Sequence, residues 1–377
     1  MTQPSFLQLA DQRHGLSCRA QLMLAAIGAA VVVSASAIPA TAQPAFTGGE
    51  AGAYHSHFCP ALASALKRRN VDLSCRPSNG TADNMGRVAN DPRAFGYGQL
   101  DVFALKANAY GGRQVFKRVR SDDVRECVFA VTKEKDIRKY GELAVFASQL
   151  NFFLPPDTSG STNTFRYLQE IDPNGLGQAQ DVFIAKSTES AIQRALETPG
   201  GVAFFVQFPD PNNARFRLVQ DLGGHMVPIV DRVILSQTVD GQPIYFAQET
   251  QVTNARWLRS GRKVITACTP LVVFTGAEEA IADARARREH GARIDIVQRL
   301  RPQELLPRAP LFARLIKRTK QLSSSGVARL TDLSEKARER ARPMLERAKQ
   351  AGTRLYERAK EGAEIMIEKA KPQPAAQ

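Results

Sequence analysis

VDLSCRPSNGTADNMGRVANDPRAFGYGQLDV, residues 71–102, decides the fold. Val71, Leu73 and Cys75 alternate with Asp72, Ser74 and Arg76, the period-two pattern of a half-buried strand. The apolar pattern stops at Ser78-Asn79-Gly80-Thr81 and resumes at helical spacing with Met85, Val88 and Ala89, so a turn of small residues leads into an amphipathic helix. A second strand then ends near Gln99 and Asp101. A helix start made of Ser, Gly and Thr is built for ordinary capping, and it also presents unpaired N–H donors to an anion.

The device recurs. Asn151-Phe152-Phe153-Leu154 is an apolar run ended by Pro155-Pro156; Asp157-Thr158-Ser159-Gly160-Ser161-Thr162 follows, and then a helical face of Phe165, Leu168 and Ile171. Two strand, turn and helix units place two donor-rich helix starts at strand C-terminal ends, where open α/β sheets bind ligands. The pair predicts two lobes facing one cleft.

The two ends of the chain are different material. Arg13 and Arg19 precede an apolar run from Leu22 to Val33, and Ala40-Thr41-Ala42 supplies a small-residue site, the pattern of a signal peptide over residues 1–42. The run is well short of the ~20 residues that span a bilayer. Export to the periplasm is therefore expected, and it makes the cysteines legible: without Cys18, an even set of Cys59, Cys75, Cys127 and Cys268 remains for an oxidising compartment. Three pairings are open, besides four buried thiols. Cys59 with Cys75 is favoured because a first helix and the next strand are neighbours in an α/β unit, which leaves Cys127 with Cys268.

At the other end, residues 314–377 hold 16 Lys or Arg against 8 Asp or Glu, more than half of the chain's net charge of +14. Leu333, Met344, Leu355 and Met366 recur every eleven residues, in phase with Glu335, Glu346, Glu357 and Glu368 and with Ala337, Ala348, Ala359 and Ala370. Eleven residues are three turns at 3.67 per turn, so this is one face of a nearly straight helix, which Pro343 should interrupt or restart. A narrow Ala-rich stripe makes no core alone. A solvated charged helix, contact with an anionic membrane surface and a coiled association are the readings left open, and export argues against nucleic acid.

Between the ends, 43% hydrophobic and 23% charged residues are ordinary for a globular protein. Pro60 to Arg69 reads as a short helix, Glu126 to Thr132 as a strand, Ile137 to Leu143 as helical, and Asp181 to Ala185 as a strand before a helix capped by Ser187. Val202 to Phe208 is a continuous apolar run of the kind buried in a sheet. Val227 to Thr238 and Gln242 to Thr250 flank Asp240-Gly241 as a hairpin, and Lys263 to Phe274 is the last strand. On an extended strand His55, His57 and Cys59 would share a face, a weak zinc pattern without an evident fourth ligand. No Gly-x-Ser-x-Gly nucleophile motif occurs, and His225 has no obvious partner carboxylate, so no enzyme, cofactor or metal is expected.

The order of these motifs resembles the TAXI-type extracytoplasmic solute-binding proteins, a branch of the type 2 periplasmic-binding fold. Gly52-Ala53-Tyr54-His55 stands where that family has Gly-x-Tyr-Tyr, Gly80-Thr81-Ala82-Asp83-Asn84 where it has Gly-Ser-x-x-Asn, Gln99-Leu100-Asp101 where it has Gln-x-Asp, and Ser159-Gly160-Ser161 at its second turn. Tyr54 lacks an aromatic neighbour, residues 120–127 lack Tyr-Pro-Glu, and the tail has no counterpart.

The resemblance implies an α/β, two-lobed binding protein that closes on a small carboxylate-bearing or otherwise anionic solute and delivers it to a membrane transporter. The expected organisation is a binding domain over residues 43–275, with lobe 1 about 43–125 and 226–275 and lobe 2 about 126–225, then a linker with a helix (276–313) and the basic tail (314–377). Ligand contacts are expected from Tyr54, Ser78, Asn79, Gly80, Thr81 and Asn84 and from Thr158, Ser159, Gly160, Ser161 and Thr162, with Gln99 and Gln207 on the walls. The alternative is a cell-envelope scaffold or sensor that keeps the binding fold and touches membrane or partner through its tail.

Overall fold

The alternating pattern that opens the first α/β unit becomes an edge strand, and the helix after it is set by one glycine. In the computed structural model, which describes residues 42–49, 52–254, 261–305 and 320–369, β1 (Gln43–Phe46), β2 (Leu73–Arg76) and β3 (Phe95–Gln99) run parallel with β1 in the middle. The signal-peptide reading lies outside these residues except for Ala42. The described residues belong to one unit, Thr41–Gln377. α1 (Cys59–Lys67) and α2 (Thr81–Asn90) connect the strands, and α3 (Leu100–Ala109) follows β3 directly. Gly80 caps α2 at φ 120°, a backbone state that any residue with a Cβ adopts only under strain. β3 is buried at every position, as a strand covered on both faces must be.

Two long strands join the lobes. β4 (Phe116–Thr132) and β12 (Lys263–Gly276) run antiparallel from the Phe116–Gly276 pair to the Cys127–Cys268 pair. β12 also pairs with β3, Leu271 opposite Gln99, while β4 continues against β7 (Gly201–Gln207), Cys127 opposite Gln207. In the second lobe β7, β5 (Asn151–Leu154) and β6 (Asp181–Ile184) are parallel, connected by α5 (Gly160–Ile171) and α6 (Thr188–Glu197). Ser159 and Ser187 cap these helices by accepting from Thr162 N and Ser190 N. The order β2-β1-β3-β12-β4-β7-β5-β6 is that of two parallel α/β lobes exchanged across two antiparallel crossing strands, the two-lobed type 2 binding-protein architecture.

Both disulfides form as favoured, Cys59–Cys75 and Cys127–Cys268, and the second ties the two crossing strands together. One apolar cluster runs unbroken from Met85 and Val88 on α2, through Phe103, Phe116 and Phe274, to Phe152, Phe165 and Phe204 in the second lobe. The lobes therefore share a core on that face of the sheet, and each has its own core on the other.

Several sequence expectations are corrected. The strand expected from Glu126 begins at Phe116, because its first half, FKRVRSDDVRE, is too charged to read as a central strand; pairs such as Arg120–Asp122 and Lys117–Glu278 neutralise it. Val227 to Thr238 is not a strand. β8 (His225–Val227) stops, and Asp231 caps α8 (Arg232–Leu235) by accepting from Val233 N. The Asp240-Gly241 turn, at φ 52° and 72°, joins only the two-residue strands β9 (Thr238–Val239) and β10 (Gln242–Pro243), and β11 (Phe246–Gln251) pairs with β12 instead. Tyr54–Phe58 is helical, so His55, His57 and Cys59 do not alternate on one face; His55 Nδ1 lies 3.1 Å from Thr47 Oγ1, and Cys59 is in its disulfide.

C-terminal to the sheet, α9 (Ala284–Arg299) and α10 (Pro302–Leu305) contribute Ile294, Val297 and Leu305 to the first lobe's core, and β13 (Lys320–Gln321) adds to β11. The tail is α11 (Ser324–Lys369), one helix that continues through Pro343 rather than breaking there. Proline removes one i to i−4 bond and bends a helix without having to end it. The docked face is not the large residue of the eleven-residue repeat. Thr331, Ser334, Ala337 and Ala341 are buried, whereas Met344 and Leu355 are 43% and 67% exposed. The partner is α4 (Tyr140–Val145), where a Cβ on Gly141 would stand 2.1 Å from Ser334 O. Arg338 clasps Asp172 (3.1 Å) and Asp231 (3.3 Å), and Ser334 Oγ donates to Asp231 at 2.8 Å.

Candidate functional site

The two polar turns meet. A Cβ on Gly80 would lie 2.8 Å from Thr158 O and 3.7 Å from Gly160 N, and one on Gly160 would lie 2.0 Å from Gln99 Oε1. The starts of α2 and α5, set by the ends of β2 and β5, thus face each other where the crossing strands pass between the lobes. Gly80 N donates to Ser78 Oγ (3.3 Å) and Thr162 N to Ser159 Oγ (3.2 Å). The N–H groups of Thr81, Ala82 and Asp83 at the start of α2 and of Gly160 and Ser161 at the start of α5 have no partner among the described residues.

Many of the expected contact side chains are engaged within the chain. Asn84 Nδ2 donates to Thr47 O (2.9 Å) and Tyr97 O (2.7 Å), tying α2 to the sheet. Thr162 Oγ1 donates to Pro155 O (2.7 Å), and Ser161 Oγ accepts from Val206 N (2.9 Å). Asn79 N donates to Asp83, whose carboxyl is held below the usual range. Partial burial pushes it up, but the hydrogen bonds from Arg87 and Asn79 outweigh that. Thr158 turns a carbonyl, not a donor, toward Gly80.

What the sequence reading missed is Glu126. It lies on β4 directly opposite Thr269, and its Oε2 accepts from Tyr54 Oη at 2.5 Å. Enclosure by neighbouring atoms raises its pKa to about 7, against the pull of hydrogen bonds from Tyr54 and Gln99. Gln207 lies opposite the next β4 residue, Cys127, and its Oε1 accepts from Arg215 at 3.2 Å. Gln99 Oε1, Gln207 Nε2, Thr269 Oγ1 and Asn84 Oδ1 are buried with no partner among the described residues. Buried polar atoms are normally satisfied, so four such atoms around one junction mark a place for a polar guest or ordered water. Tyr54 forms one wall, stacked on Tyr97 and edge-on to Phe58 and Phe208. Its burial and Glu126 push its phenol well above the ordinary range.

On the opposite face Asp101 is fully buried and accepts from Thr164 Oγ1 (2.6 Å) and Tyr245 Oη (2.8 Å). Burial raises its pKa in spite of these bonds. The contact joins α3 of the first lobe to α5 of the second.

No protein-family model and no curated protein matches the sequence. Among solved structures the chain is similar to a periplasmic transporter, at 8% identity and a TM-score of 0.40 over 82% of this chain and 98% of that one. It is also similar to XAC2383 from Xanthomonas citri bound to ATP (11% identity, TM-score 0.43, 80% and 98% covered). A third is PhnD1 from Prochlorococcus marinus (MIT 9301) in complex with methylphosphonate (9% identity, TM-score 0.40, 78% and 97% covered). The likeness is long but loose, and the two-lobed assignment rests on the sheet order. Among the described residues no helix is long and apolar enough to cross a membrane.

Proposed function

We propose that this chain is an exported, periplasmic solute-binding protein of the TAXI branch that captures a small carboxylate-bearing anion between its two lobes for a membrane transporter. The observation that carries the reading is the juxtaposition of the Gly80 and Gly160 turns, with open helix-start N–H groups and unpartnered Gln99 and Gln207 atoms beside them. Glu126, with its pKa near 7, refines it: in its protonated form it can donate to a ligand carboxylate that an ionised Glu126 would repel. The test is thermal unfolding of the chain from Gln43 onwards against carboxylates, amino acids and phosphates at millimolar levels. A true ligand at 100 times its Kd adds about 2.7 kcal/mol. That shift should be lost in Gln99→Ala. A panel without any shift overturns the reading.

The second reading, a cell-envelope scaffold or sensor, is favoured by the continuous core that the lobes share and by the buried Asp101 contact between α3 and α5. It predicts no shift with any solute and a partner that binds through α11.

A further inference from the structure

Away from the two turns, a cavity of about 620 Å³ opens between the second lobe and α11. Its floor comes from the start of β12, from β8 and its flanks, and from α7 (Ala214–Asp221), with Phe216, Met226, Val252 and Val264 facing Leu330 and Leu333 of α11. Lys135, Arg138, Lys139, Arg262 and Lys263 ring its mouth, and no Asp or Glu is among the described residues that line it. Lys263 shares its charge with Glu249 at 2.7 Å. The other four cations form no ion pair among the described residues.

An apolar floor of this size is poorly hydrated, and several like charges round one mouth repel each other. Both penalties are relieved by one kind of guest. We propose that this cavity is a second binding site, for a single-chain amphiphile with an anionic head such as a long-chain carboxylate. The chain lies against Leu333 and Val264, and the head sits at Arg262 and Lys139. The volume falls in the range of small-molecule sites. Because α11 supplies one wall, occupancy also holds the tail helix in place.

Calorimetric titration of the full chain with dodecanoate, below its aggregation concentration, should show saturable one-to-one binding. Affinity should rise about fourfold per methylene from octanoate to dodecanoate. Dodecanol should bind at least tenfold more weakly than dodecanoate. The rim pair Arg262→Glu with Lys139→Glu, both outside the core, should weaken dodecanoate at least tenfold with an unchanged circular dichroism spectrum. A small carboxylate saturating the turn junction should not displace it, so this site stands or falls apart from the proposed function. Equal affinity for dodecanol, an unaffected rim variant, or no saturable binding overturns the proposal. So does binding of phosphatidylglycerol vesicles without binding of monomeric dodecanoate, which assigns the rim to a membrane surface.

Discussion

Glu126 concentrates the chemistry of the interlobe junction in one proton. Its pKa rises from 4.5 to about 7. Between those values the unfolded chain has released the proton while the folded chain still holds it, so folding stability falls as pH rises through this window and levels off above it. The shift corresponds to at most about 3 kcal/mol. Glu126→Gln removes the titration and keeps an acceptor for Tyr54. Melting temperature plotted against pH should therefore drop by several degrees more between pH 5 and 8 for the wild type than for the variant. Parallel curves would show that this carboxyl titrates as in water. The residue was not readable: it ends a charged run, FKRVRSDDVRE, that gives no sign of burial, and its partners come from 72 residues upstream and from the facing strand. Gly80 and Gly160 were legible, because positive φ and close approach leave a mark on residue type; which hydroxyls would be spent inside the chain left none.

The tail helix shows what periodicity conveys and what it hides. The eleven-residue repeat pointed to one helix, and one continuous helix is present, yet the face that docks consists of small residues of which only Ala337 belongs to the repeat. What fixes that face is a charge and a contact. Arg338 neutralises the buried carboxylates of Asp172 and Asp231, and Gly141 lets the Ser334 backbone approach α4. Arg338→Ala strands two buried acids, a loss of about 3–5 kcal/mol. Gly141→Val puts a side chain where Ser334 O lies. Both variants should lose hydrogen-exchange protection in α4 and in the first half of α11 while the crossing strands keep theirs. Leu355→Ala, on the exposed half, should stay within about 0.5 kcal/mol of wild type. Pro343, read as a break, sits inside the continuous helix, just past Ala341, the last buried residue of the docked half; proline costs a backbone bond there without ending the helix.

At the scale of the molecule, the proposed capture of a solute between the lobes requires them to open, and this chain carries opposing constraints. The crossing strands are long enough to bend, but a disulfide joins them at Cys127 and Cys268, and Asp101 links α3 to Thr164 and Tyr245 across the lobes. The two-lobed order was legible because strands and helices alternate in the chain, whereas the shared core was not, since no periodicity records which lobe an apolar face will meet. Asp101→Ala removes the acceptor for two buried hydroxyls, each worth about 1–3 kcal/mol when left unsatisfied, and both losses fall on the closed form. An equilibrium between open and closed lobes should shift toward open, since only the closed form is weakened. In small-angle scattering the ligand-free variant should therefore show a larger radius of gyration than the wild type, and a saturating ligand should return both to one value. If variant and wild type scatter identically and no solute contracts either, the lobes do not move, and the shared core marks a rigid scaffold rather than a closing receptor.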